Sequence, residues 1–141
     1  MRTLIPRPGI VGAALALAFA THARADTPPD APPAVKMTCE RIAQPGRVRC
    51  EVEARVAAGT VIRWGDVEIV GVPAFVTPLR GRIGPREATT REDDAWKWAL
   101  ALAAKERGTG DVQARVRLVT CAAGKCSPRQ IAVTARVQVG D

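Results

Sequence analysis

Apolar and polar residues alternate with a period of two along most of this chain. In the first half, segments 35–39 and 48–56 each place apolar residues on one face, and a turn over 57–60 leads into a third apolar-rich segment, 61–70. Between the first two segments, Gln44-Pro45-Gly46-Arg47 has the composition of a β-turn. The pattern therefore predicts a β-hairpin followed by a third strand.

Residues 94–107 carry two conflicting signals. Their alanine, leucine, lysine and glutamate have high helix propensity, and Thr90 with Asp93 can form a variant capping box. The apolar residues nevertheless alternate strictly from Trp96 to Leu102. This alternation favours a strand over a helix.

The rest of the second half also reads as strands and turns. Gly108-Thr-Gly-Asp111 is predicted to be a turn that leads into a return strand over 112–118, and 131–139 alternates as a last strand. Residues 71–93 are rich in proline and glycine, which predicts a loop with one short strand near Phe75. About seven short strands indicate an all-β fold, an immunoglobulin-like antiparallel β-sandwich, over residues 34–141.

The segment before this domain has the features of export. Residues 1–25 show a basic start, an apolar run of about 11 residues and a small-x-small ending, which predicts a secretory signal peptide cleaved after Ala25. That run is too short to span a bilayer. Residues 26–33 contain four prolines and form a stiff spacer. We expect a periplasmic or secreted protein with no stable membrane insertion after signal cleavage.

Charge and composition exclude several functions. The net charge of +7 falls to +4 (18 − 14) once the three signal-peptide arginines are removed, and the remaining arginines alternate with apolar residues as on a solvated sheet face. We therefore expect no nucleic-acid binding. The single histidine, His22, lies in the signal, so histidine-based catalysis and histidine metal sites are excluded. The acidic run Glu92-Asp93-Asp94 lacks the spacing of a calcium loop, and no metal or cofactor is expected.

Four cysteines carry the most specific signal. In an oxidising compartment they favour disulfides over zinc, and of the three possible pairings we favour the two local ones. Cys39 and Cys50 lie across the first predicted hairpin. Cys121 and Cys126 lie at the tip of the last one, where Gly124 suits a hairpin loop.

The two pairs invite different interpretations. We expect the Cys39–Cys50 pair to be a structural disulfide. Lys125 and Arg129 place positive charge near Cys121 and Cys126, which would favour a thiolate there and hence disulfide exchange. The alternative is a hairpin staple, which contributes about 2 kcal/mol because the closed loop is short.

Three segments resemble one family. Residues 58–69, 96–119 and Cys121-Ala-Ala-Gly-Lys-Cys-Ser-Pro128 are similar to the N-terminal periplasmic domain of the DsbD thiol:disulfide interchange proteins. The resemblance implies an immunoglobulin-like fold, Cys121 and Cys126 as a redox-active pair, and Pro128 as a supporting residue. It also implies exported thiol or disulfide proteins as partners and a separate electron donor. Two departures are Ser127, where the family often has an aromatic or aliphatic residue, and the lack of an aromatic residue in 79–93.

Two functional hypotheses follow. The first is an exported relay module, a possible thiol-disulfide oxidoreductase, that exchanges a Cys121–Cys126 disulfide with partner proteins. The second is a non-catalytic secreted immunoglobulin-like module with two structural disulfides, which binds a partner through loops such as 80–94. Trp64, Trp96 and Trp98 can supply a binding stripe on such a module, but the alternation assigns Trp96 and Trp98 to the core.

Overall fold

The computed structural model describes residues 31–141. The predicted signal peptide and spacer residues 26–30 lie outside this range. Nine strands follow in chain order: β1 Ala34–Cys39, β2 Gly46–Arg55, β3 Thr60–Gly71, β4 Val76–Pro78, β5 Arg82–Ile83, β6 Ala88–Arg91, β7 Ala95–Ala104, β8 Gly108–Ala122 and β9 Lys125–Val139. The one helical element of this range is a short 3-10 helix, Pro85–Glu87. No helix within 31–141 has both the length and the apolar character needed to cross a membrane.

The strands form two antiparallel sheets. The first has the order β1-β2-β7-β4, with β6 also pairing with β7, and the second has the order β5-β3-β8-β9. These orders match the ABED and C′CFG sheets of the immunoglobulin fold, with the fourth strand of the first sheet split into β4 and β6. The predicted all-β, immunoglobulin-like antiparallel sandwich is confirmed.

The core lies between the sheets and is built from alternate residues of each long strand. Trp98, Leu102 and Leu118 are among its largest fully buried side chains, packed with valines of β2, β3, β8 and β9. Trp96 is also buried, so the core assignment of both β7 tryptophans is confirmed. Strict alternation produces this arrangement because successive side chains of a strand point to opposite faces.

The ambiguous segment 94–107 is a strand. Residues 95–104 form β7, which pairs with β2 along its whole length and with β4 and β6 on its other side. Because β7 lies in the middle of the first sheet, tertiary pairing overrides the helix propensity of its alanines and leucines.

Two local predictions were wrong. Residues 108–111 are not a turn but the start of β8, paired with Arg136 to Val139. Their glycines serve close packing instead, because a Cβ on Gly108 would lie 2.9 Å from the ring of Phe75. Residues 71–93 hold β4, β5, β6 and the 3-10 helix rather than one short strand, since the three strands pair with β7 or β3 at the sheet edges.

Candidate functional site

The hairpin of β8 and β9 carries the second disulfide at its tip. Cys121 and Cys126 lie directly opposite each other, with a Cα separation of 4.0 Å and a bond between their sulfurs. The chain reverses through Ala123 and Gly124, whose φ angles of 49° and 75° are those that a tight two-residue hairpin turn requires. The predicted pairing is therefore confirmed, and the turn itself consists of two residues.

The first disulfide has the same backbone setting but a different environment. Cys39 and Cys50 are also directly opposed, with a Cα separation of 3.9 Å, and the predicted pairing is confirmed. Cys50 is fully buried and Cys39 packs against the core. Cys126 is exposed and Cys121 is half-buried. Access to solvent, rather than backbone geometry, distinguishes the two bridges.

A shallow groove of about 330 Å³ runs beside the exposed bridge. Val61, Arg63 and Gly59 line it together with the hairpin tip. The positive charge along this groove comes from Arg63. Lys125 and Arg129, which we expected to flank the cysteines, lie on the opposite face of the hairpin, because β9 alternates and Cys126 points to the outer face.

Trp64 is an exposed aromatic residue on the outer face of the same sheet. The pairing of β3 with β8 shifts by one residue between Ile62 and Trp64, so that Arg63 forms a β-bulge. Ile62 faces the core, whereas Trp64 faces outward with 37% of its surface exposed. Without this shift, the two residues would share a face and Trp64 would point into the core.

Two grooves flank Trp64. The one toward the hairpin has a volume of about 440 Å³ and is lined by Arg117, Val119, Pro128 and Gln130 among others. The groove on the other side has a volume of about 510 Å³, and residues 85–93 form its far wall. We call Trp64 and the residues lining these two grooves the Trp64 surface.

A buried carboxylate supports the Trp64 surface from below. Asp66 points outward from β3 but is covered by two arginines: Arg82 Nε donates to it at 2.7 Å and Arg117 Nε at 2.9 Å. The hydrogen bonding to Asp66 raises the pKa of Arg117 above its ordinary value. The guanidinium of Arg117 also lies 5.7 Å from the centre of the Trp64 ring, within cation–π range. Sequence reasoning missed this cluster because its members are distant along the chain.

Residues 80–94 are held firmly against the sandwich. The indole nitrogen of the buried Trp98 donates to the carbonyl of Gly84 at 3.2 Å, and the Asp93 carbonyl accepts from the backbone of Ile62 at 2.7 Å. The backbone N–H of Gly84 donates to Glu87, which lowers the pKa of that carboxyl. Within residues 31–141, no three histidine, cysteine, aspartate or glutamate side chains come together as a metal site.

Comparison with known proteins leaves the function open. No protein-family model matches the sequence, and no curated protein matches it. Among solved structures, PapD-like domain 7 of human CEP192 aligns over 90% of this chain and 97% of its own, with 9% identity and a TM-score of 0.46. AggA, the major subunit of aggregative adherence fimbriae type I of Escherichia coli, covers 76% and 95% with 9% identity and a TM-score of 0.40. A type I cohesin of Pseudobacteroides cellulosolvens ScaB covers 75% and 92% with 12% identity and a TM-score of 0.39. The fold assignment rests on the strand topology and not on these distant likenesses.

Proposed function

We propose that this protein is an exported, non-catalytic immunoglobulin-like binding module that contacts a protein partner through the Trp64 surface. The observation that carries the proposal is the outward position of Trp64 between two grooves. In this proposal, residues 1–25 direct export and are removed after Ala25, and residues 26–33 form a stiff spacer at the start of the mature chain. Both disulfides act as staples, as suits an oxidising compartment.

The composition of the Trp64 surface suits protein recognition. Tryptophan and arginine are the residues most enriched among those that dominate binding energy at interfaces. Trp64 is held by Arg117 through a cation–π contact, and Arg117 is itself fixed by Asp66. A side chain ordered in this way loses little conformational entropy when a partner binds.

The charge of the surface indicates the chemistry of the partner. Apart from Arg129, whose side chain points to the opposite face of the hairpin, four arginines and two carboxylates line the two grooves: Arg63, Arg86, Arg91, Arg117, Glu92 and Asp93. A partner with carboxylates around an apolar side chain would complement this balance, because opposite charges steer encounter and select the register. The proposal therefore specifies an acidic partner surface with an apolar centre.

Site-specific photo-crosslinking in intact cells tests the proposal. A photoreactive residue at Gln130, inside the groove next to Trp64, is expected to capture a discrete partner, whereas one at Arg47, on the outer face of the other sheet, is not. Trp64→Ala is then expected to weaken binding of the captured partner about thirtyfold, the loss of a residue worth about 2 kcal/mol. Val70→Ala, which trims another exposed apolar residue of β3, is the matched control and is expected to leave binding unchanged. Equal binding by the Trp64→Ala variant and the unchanged protein would rule out the Trp64 surface.

A second candidate function is a dithiol-disulfide relay of the DsbD type, and the exposure of Cys126 beside an open groove favours it. In this proposal the Cys126 thiolate attacks one sulfur of a partner disulfide and releases a partner thiolate. Cys121 then attacks the Cys126 sulfur and releases the second partner thiolate, so that two electrons pass to the partner. A separate exported dithiol protein restores the reduced pair and is itself oxidised.

Redox titration separates the two candidates. The relay requires the Cys121–Cys126 pair to reduce at about −200 to −270 mV, and the binding module requires both pairs to lie below about −300 mV. Cys121→Ser is expected to accumulate a mixed disulfide on Cys126 if the protein is a relay and to form none if the bridge is a staple. Cys50→Ser, which leaves the half-buried Cys39 unpaired, is the control for adducts that arise from any accessible free thiol.

A further inference from the structure

A separate pocket lies on the inner face of the β8–β9 hairpin, away from both the Cys121–Cys126 sulfurs and Trp64. It has a volume of about 340 Å³ and is bounded by the hairpin, the start of β3 and the chain that enters β1. Alanines, a valine and a proline form one part of its wall, and hydroxyl and cationic side chains form the other. The lining residues used below are Pro33, Val56, Thr120, Lys125, Ser127 and Arg129.

The polar part of this pocket has cations without anions. Lys125 and Arg129 line it, and no aspartate or glutamate does. Within residues 31–141 neither Lys125 nor Arg129 forms an ion pair. The carboxylates of Asp66, Glu53 and Asp111 in the same range form ion pairs with other cations instead. The Nε atom of Arg129 is buried and has no hydrogen-bond partner. Because this atom has no exposed surface, a ligand in the pocket would bind the terminal nitrogens of the Arg129 guanidinium, for which residues 31–141 supply no acceptor either.

We propose that this pocket binds a carboxylate attached to a small apolar body. The planar fork of an arginine matches the two oxygens of a carboxylate, and Lys125 and Ser127 would add donors from the same strand. Val56 and Pro33 provide the apolar contact for the rest of the ligand. A free short-chain carboxylic acid and the C-terminal residue of a peptide share this chemistry.

This pocket is independent of the proposed function. Arg129 borders both this pocket and one of the grooves beside Trp64. The side-chain donors of the pocket face inward from β9, whereas Trp64, Val119 and Pro128 lie on the outer face. Loss of carboxylate binding and loss of partner binding at Trp64 are therefore separable by substitution.

Amide chemical shifts of the purified protein during titration with isovalerate test the proposal, with isovaleramide as the neutral probe of the same shape. We expect saturable shifts at Thr120, Lys125, Ser127 and Arg129 with the carboxylate and none with the amide. Arg129→Gln is expected to weaken the affinity for isovalerate about tenfold, because a charge-assisted bidentate contact is lost. Lys125→Gln is expected to weaken it by a smaller factor. Arg47→Gln removes the same charge from an exposed site on the other sheet and is expected to have no effect.

A peptide with a free C-terminus, compared with its C-terminal amide, distinguishes the sources. Tighter binding of the free peptide than of isovalerate identifies a peptide C-terminus, and the reverse order identifies a small acid; both support the site. The proposal is overturned if the amide chemical shifts do not reach a plateau by about 100 mM isovalerate. This concentration is a hundredfold above a weak dissociation constant of about 1 mM. It is also overturned if inorganic phosphate binds and isovalerate does not, or if Arg129→Gln and Arg47→Gln change the affinity equally.

Discussion

Replacing each disulfide with a pair of serines tests how the two bridges contribute to stability. The bridges close loops with sequence separations of 11 residues for Cys39–Cys50 and 5 residues for Cys121–Cys126. Loop-closure entropy alone then assigns them about 2.8 and about 2.1 kcal/mol. On this basis the two double variants would hardly differ.

Burial separates them. Cys50 is fully buried in the core, so Cys50→Ser leaves a hydroxyl without water and adds about 1–3 kcal/mol to the loss. Cys126 is exposed, and its serine can be hydrated at no such cost. We therefore expect the Cys39/Cys50 double variant to lose about 4–6 kcal/mol and the Cys121/Cys126 double variant about 2 kcal/mol.

Urea denaturation monitored by tryptophan fluorescence provides the measurement, with the free energy of unfolding taken from the midpoint and slope. Mass spectrometry after partial reduction gives an independent readout, in which Cys121–Cys126 is expected to open first. A Cys121/Cys126 variant that loses as much stability as the Cys39/Cys50 variant would refute the assignment of the difference to burial.

Two further substitutions test the packing and the charges. Gly65→Ala is expected to cost about 1–3 kcal/mol through overpacking, because its Cβ would lie 2.9 Å from Leu118 and 3.0 Å from the ring of Trp98. Gly81→Ala meets nothing within 4 Å and is the control in the same denaturation assay, where equal losses would contradict the argument. A hydrogen bond from Arg55, together with nearby lysines, lowers the pKa of the Glu53 carboxyl below its ordinary value of 4.5. The ionised carboxylate therefore stabilises the fold at pH values above 4.5, and this stabilisation is lost as the pH falls through the lowered pKa. Glu53→Gln is thus expected to be less stable at pH 7 and to lose less stability on acidification, which urea midpoints from pH 7 to pH 3 would show; an unchanged pH profile would contradict this.

The exposure of Trp64 shows where sequence reasoning reached its limit. The apolar positions of β3 change parity between Ile62 and Val67, which is the signal of an inserted residue. Val61 and Val70 are apolar as well and obscure that change. The bulge could be located only once β3 was paired with β8, and it is the bulge that directs Trp64 outward.

The positions of the cations show the same limit in another form. Lys125 and Arg129 are close to the cysteines in sequence, and that proximity suggested that their charge acts on the sulfurs. In the hairpin they point the other way and line a separate pocket. Proximity along a strand says little about side-chain contact, because neighbouring residues face opposite sides of the sheet.

Strand alternation, turn residues and cysteine spacing were sufficient for the sandwich fold, both disulfide pairings and the burial of Trp96 and Trp98, because each depends on the local period of a strand or on one hairpin. The Asp66 cluster, the bulge at Arg63 and the inner pocket depend on contacts between residues as far apart as Asp66 and Arg117. Such contacts follow from how strands pair and sheets stack, and the period of a single strand carries no information about them.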